Sequence, residues 1–169
     1  MATTRVCRQL FPAQQAILID KVATRDAFII ALIATGGFRE GTTCRLKYRH
    51  IKEDLEANRV PIHIHVEAEI TKGKYHDYDT FLNAEASHLL KLYIIERKIG
   101  SRYTPPEEIT DKSPLIRSNH IAHKVVGISE KCLRKIVHTL VTEAGIAKKL
   151  PNSWMYSIRT PSLRKFFKT

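Results

Sequence analysis

Three cationic side chains stand where the chain is expected to change direction. Arg39 follows the Gly36-Gly37 break at the start of a helix, Lys72 sits in the tip of an expected hairpin, and Arg164 lies in the first turn of the last expected helix. Helix starts attract phosphate through their free N–H groups and their dipole. Arginine adds a bidentate fork that suits phosphate oxygens. Taken singly, each of the three is also an ordinary surface charge. The histidines suggest a different chemistry. His63 and His65 share one face of an expected strand, and His120 and His123 would share one if residues 119–124 were helical. Neither pair has a nearby cysteine or a third ligand at zinc-site spacing, so all four are read as surface residues and no metal is expected. Gly36-Gly37 lacks the spacing and the following Lys-Ser/Thr of a phosphate loop, and no nucleophile elbow is present.

The charge distribution strengthens the phosphate reading. The chain has 169 residues and a formal net charge of +11. Residues 1–111 are almost neutral overall, whereas residues 112–169 hold 12 basic and 2 acidic side chains. So lopsided a distribution implies one positive surface and a polyanionic partner, with nucleic acid first among them. A solvated basic face, as on a ribosomal protein, is the rival reading. At 43% hydrophobic residues, with 7 glycines and 7 prolines, disorder and collagen-like repeats are excluded. The longest apolar run, Ala27 to Ala34, is far short of the roughly 20 residues of a membrane span. Arg5 and Arg8 lead into interrupted, polar sequence and not into a signal peptide. Cys7, Cys44 and Cys132 form no Cys-x-x-Cys pair, which fits a reducing compartment. A soluble, cytoplasmic, single domain spanning 1–169 is expected.

The elements that must position the three cations follow from periodicity. Pro12 opens a helix to about Lys21. Thr24 is expected to cap a second, which is apolar all round from Ala27 to Ala34, hence buried, and stopped by Gly36-Gly37. A third runs from Glu40 to about Tyr48. Ile62, Ile64, Val66, Ala68 and Ile70 alternate with polar residues as a strand over 62–70, Thr71 to Lys74 turns, and 75–82 returns antiparallel. Glu85 to Lys98 is helical, with Leu89, Leu90, Tyr93 and Ile94 on one side. Residues 99–117, with Pro105, Pro106 and Pro114, form the longest loop. Ser129 caps a helix that Gly145 ends, and Thr160-Pro161 opens the last. The fold class expected is α+β, mainly helical, with one small antiparallel sheet.

In this order the segments resemble the tyrosine recombinases of the phage integrase family. Ile30 to Ile51, with Thr35-Gly-Gly-Phe-Arg39-Glu-Gly-Thr, is similar to the family's first box. Ile70-Thr-Lys72-Gly-Lys-Tyr-His-Asp-Tyr-Asp-Thr-Phe-Leu82 resembles its lysine-bearing hairpin, and Pro161-Ser-Leu-Arg164-Lys-Phe-Phe-Lys168 its second box. Ser113 to Ile116 and Val141 to Ile146 resemble the connecting segments. The wording is closest to archaeal and archaeal-virus integrases. The resemblance implies a tyrosine-recombinase-type catalytic domain, a metal-free and cofactor-free reaction, and double-stranded DNA and other recombinase subunits as partners. It places Arg39 and Arg164 on the scissile phosphate and makes Lys72 the general acid. Arg45, Lys74, Lys124, Lys131, Lys165 and Lys168 are expected to contact DNA.

Two positions depart from the family pattern. Pro161 stands where the family has histidine, and Thr42 stands where an acidic residue is common. The family's nucleophilic tyrosine lies beyond the second arginine. None of the six tyrosines here (Tyr48, Tyr75, Tyr78, Tyr93, Tyr103, Tyr156) follows Arg164. The sequence is therefore expected to lack both that segment and the family's N-terminal DNA-gripping domain. Two functions follow as alternatives: a recombinase catalytic domain without its nucleophile, or a non-catalytic DNA-binding regulator derived from the same fold.

Overall fold

The computed structural model describes residues 23–100, 104–119 and 124–144. Its central element is α1 (Thr24–Gly36), in which every residue from Ala27 to Ala34 is buried. Such a helix forms because it is covered on all sides. It packs against α4 (Ala84–Ile99) and against β2 (Tyr78–Leu82). Phe28 stacks on Tyr93 with ring centroids 5.8 Å apart. Gly37 ends α1 in the left-handed conformation, φ 64°, and its N–H reaches Ile33 O. Thr24 is not the cap. Ala23 holds that position, and the Thr24 hydroxyl instead donates to Glu96 of α4, a partner 72 positions away.

After the turn come α2 (Glu40–Arg45), a 3₁₀ turn (Tyr48–His50) and α3 (Lys52–Glu56). The expected helix from Glu40 to Tyr48 stops early, because Leu46 is buried in extended conformation and Lys47 forms a β-bridge with Pro114. Strand β1 (Ile62–Val66) pairs antiparallel with β2, running from Ile62 opposite Leu82 to Val66 opposite Tyr78. Ile62, Ile64 and Val66 face the core while His63 and His65 face out, as alternation requires. Both strands are shorter than the periodicity predicts. Ala68–Ile70 coils into a second 3₁₀ turn, with Ala68 N–H donating to the Asp77 carboxylate at 2.6 Å and Thr71 N–H to Ala68 O. These local bonds replace the ladder beyond Val66, so the return strand begins at Tyr78 and not at Tyr75.

Residues 104–119 carry neither helix nor strand, yet Leu115 and Ile116 are fully buried. A buried ionic group holds the segment. Glu107 accepts from Arg97 Nε at 3.1 Å and from Arg117 at 3.2 Å, and Arg97 also donates to Pro114 O and Leu115 O. Buried charge of this kind is tolerated only when it is paired and hydrogen-bonded. The last described helix, α5 (Glu130–Glu143), starts at Ser129, whose hydroxyl accepts from Cys132 N–H. Leu133, Val137, Leu140 and Val141 form its buried stripe, and it packs on α2. The helix closes at Glu143, two residues before the expected Gly145, which lies outside the described residues.

Candidate functional site

The site is built around the turn that joins α1 to α2. Phe38 folds back so that its ring lies over Gly36, where a Cβ would come within 2.1 Å of it. Gly36 therefore has to lack a side chain. The buried Phe38 then delivers Arg39 to the surface as the residue preceding α2. Its carbonyl accepts from both the N–H and the hydroxyl of the buried Thr43, at 2.9 and 3.0 Å, so the main chain is held firmly. Among the described residues, the guanidinium makes no hydrogen bond or ion pair. From the other side, the Thr80 hydroxyl of β2 donates to Gly36 O at 3.1 Å and ties the sheet to the same turn.

The next residue, Glu40, is occupied. Its two carboxylate oxygens accept from Arg134 Nε and Nη2 on α5. One turn later Arg45 lies 3.8 Å from Glu130 of α5 and donates to Ile70 O at 3.2 Å. Arg45 thus links α2 to the 3₁₀ turn just before Lys72, with half of its side-chain surface still open. Thr42, at the position where the first box often carries an acid, is buried and cannot face a ligand.

Lys72 and Lys74 are both exposed on the 71–77 connection. Lys74 takes a left-handed conformation, φ 53°, and its N–H donates to the Thr71 hydroxyl, which itself donates to Ala68 O. The bond from Arg45 to Ile70 O holds the 3₁₀ turn that leads into the connection against the helix that Arg39 leads. Lys124 and Lys131 are exposed, before and within the first turn of α5. Arg164, Lys165, Lys168 and Pro161 lie outside the described residues, as do Cys7, Tyr103, His120, His123 and Tyr156, so the expected meeting of Arg39 with Arg164 falls there too.

Three neighbouring groups have distinct environments. Burial, aided by Glu130 and Glu40, pushes the Cys44 thiol up to about 12, which keeps it protonated and unreactive. Burial and then Arg49 hold the His50 imidazole below its ordinary value, with Glu67 opposing. The outward histidines meet one carboxylate: Asp79 lies 2.8 Å from His63 Nε2 and 3.0 Å from His65 Nδ1. Among the described residues no group of three or more His, Cys, Asp and Glu is arranged to hold a metal ion.

No protein-family model and no curated protein matches the chain. Among solved structures, XerA recombinase superposes with a TM-score of 0.61 at 24% identity, covering 87% of this chain and 47% of that one. The chain has a recombinase fold. This bears out the α+β, mainly helical class with a small antiparallel sheet, and the chain spans about half the length of that recombinase. Within this recombinase fold the sequence reading overlooked two features. One is Arg134, the partner of Glu40, and the other is the Arg97–Glu107–Arg117 group. Arg97 follows Leu90, Tyr93 and Ile94 at helical spacing, so the buried stripe of α4 was a signal that could have found it. Nothing local in the sequence pairs Arg134 with Glu40. Among the described residues no helix is long and apolar enough to cross a membrane.

Proposed function

We propose that this chain is the catalytic-type part of a tyrosine-type site-specific DNA recombinase, of the kind found in archaeal and archaeal-virus integrases and acting in the cytoplasm. The observation that carries this reading is Arg39: within a recombinase fold it stands at the head of α2 with an uncommitted guanidinium, beside a glutamate already held by Arg134. In the reaction a tyrosine oxygen attacks the phosphorus of a DNA phosphodiester. A 3′-phosphotyrosine forms and the bond to the 5′-oxygen breaks. Arg39 and Arg164 hold the two non-bridging oxygens and stabilise the charge that builds on them, worth about 3 kcal/mol per well-placed donor. Lys72 gives its proton to the departing 5′-oxygen. Arg45, Lys74, Lys124, Lys131, Lys165 and Lys168 neutralise neighbouring phosphates.

The tyrosine in this scheme comes from outside residues 1–169, in trans from another recombinase subunit or from a longer polypeptide. A second reading, a non-catalytic DNA-binding regulator, is favoured by Pro161. At the histidine position of the family it has neither a side-chain donor nor an N–H. The two readings separate in one experiment. End-labelled duplex DNA carrying a nicked suicide site is incubated with the chain plus a recombinase subunit that donates tyrosine, and resolved on a denaturing gel. The catalytic reading expects a covalent protein–DNA band that is lost in Arg39→Ala and Lys72→Ala. The regulatory reading expects DNA binding and no covalent band in any combination.

A further inference from the structure

The connection between β1 and β2 carries a feature that neither the phosphate chemistry nor the fold requires. Tyr75 is 83% exposed, the most exposed large hydrophobic side chain among the described residues. It sits in the run Lys72-Gly-Lys74-Tyr75-His76, which contains no acid until Asp77. The loop is closed without it, by Ala68 N–H to Asp77, Lys74 N–H to the Thr71 hydroxyl, and Arg45 to Ile70 O. The ring has a set place all the same. It lies against Gly73, where a Cβ would come within 2.6 Å of Tyr75 Cδ2. Gly73 does not have a positive φ, so the missing side chain answers to the ring and not to the backbone.

We propose that Tyr75 is the apolar contact of a DNA-reading loop. Its ring packs on sugar and base surface while the adjacent Lys74 neutralises a neighbouring phosphate, and Lys72 keeps its place at the 5′-oxygen. An aromatic side chain directly following two lysines suits a polyanion whose charged edge alternates with flat apolar surface, and such ring contacts tolerate many sequences. This deepens the recombinase reading and rests on it, since the partner is DNA in both.

The test is the affinity of the full chain for a fluorescein-labelled duplex, measured by anisotropy across a salt series. Tyr75→Ala is expected to weaken binding about fivefold or more at every salt concentration and leave the slope of log K against log salt unchanged. Lys74→Ala should lower that slope by about one. Tyr75→Phe should bind like the parent, because the ring and not the hydroxyl makes the contact. Gly73→Ala, which alters no charge but displaces the ring, should weaken binding as Tyr75→Ala does. Equal affinity of the parent and Tyr75→Ala would overturn the role of the ring while leaving the DNA reading intact. So would a loss in Tyr75→Phe as large as that in Tyr75→Ala. A parent chain with no salt-dependent affinity for the duplex would overturn the recombinase reading itself.

Discussion

Glu40 and Arg134, 94 positions apart, meet edge to edge, with Nε of the arginine 3.3 Å from one carboxylate oxygen and Nη2 on the other. The contact ties α5 to the first turn of α2. It also sets the charge next to Arg39: a carboxylate one residue away would otherwise compete with phosphate for the Arg39 guanidinium. Arg134 neutralises that competitor.

Removing Arg134 should therefore hurt binding more than stability. The arginine is half-exposed, and pairs of this kind contribute about 0–1 kcal/mol to folding. Arg134→Ala is expected to shift the urea midpoint little and to weaken duplex DNA binding. Adding Glu40→Gln should recover most of the loss, since the freed carboxylate is the cause. A double-mutant cycle on DNA affinity measures this coupling, and additive losses would contradict it.

Glu107 presents the opposite case. It is 7% exposed, lies between Arg97 and Arg117, and organises a segment that has no secondary structure of its own. Glu107→Ala leaves two buried guanidinium groups without their carboxylate, and its expected cost is about 3–5 kcal/mol of folding free energy. Denaturant unfolding followed by far-UV circular dichroism checks it. A loss below about 1 kcal/mol would mean that water enters the group freely.

DNA binding should fall steeply with salt, because phosphate neutralisation by the basic side chains releases counterions. Arg39→Ala should reduce the salt slope by about one and weaken overall affinity only modestly, as many cations share the phosphate contacts. Anisotropy titrations from low to moderate salt give both numbers. A flat salt response would remove the case for a nucleic-acid partner.

The polypeptide of residues 1–169 by itself is expected to bind DNA without joining to it. Tyr93 is buried and its hydroxyl accepts from Arg117 N–H, while the Tyr48 hydroxyl faces Glu56 at 3.4 Å, so neither is placed to attack. Burial raises the pKa of both phenols. None of the six tyrosines follows Arg164. The check is a denaturing gel of labelled suicide DNA with this polypeptide alone. A covalent band there would show that one of these six tyrosines is the nucleophile.

The pKa values of His65 and His50 are displaced in opposite directions. The hydrogen bond to Asp79 raises the His65 pKa above its ordinary value, and burial lowers that of His50. A raised folded-state value gives His65 a stabilising contribution that is complete below the unfolded pKa of about 6.5 and is lost as pH rises through the folded one. For His50 the sign is reversed: its contribution is present above about 6.5 and is lost as pH falls through its lowered folded-state value. Imidazole proton shifts in an NMR titration should order the two midpoints, with His65 above His50. Asp79→Asn should bring His65 back toward the free value and leave His50 unmoved.

Much of the frame is local and could be read directly from the sequence. The apolar run of α1, its stop at Gly36-Gly37, the Ser129 cap and the outward alternation of His63 and His65 each depend on residues within a few positions of one another. Backbone geometry and side-chain period decide such features before any packing occurs. The placing of Arg39 after a glycine break belongs with them. What the cations are free to do was settled elsewhere. Whether Glu40, next to Arg39 in the chain, is already paired depends on Arg134 reaching it from α5, and whether Arg45 is a surface charge or a brace depends on Glu130 and Ile70. The hairpin was predicted too long because alternation continues through Ala68 and Ile70, while the hydrogen bonds of the Ala68 and Thr71 amides go to Asp77 and to a 3₁₀ turn. The sequence by itself determined where the chain turns and which faces must be buried, because propensity and period act over one or two turns. Only the tertiary structure decided which charges are already paired, because a guanidinium finds its carboxylate by distance in space and not by distance along the chain.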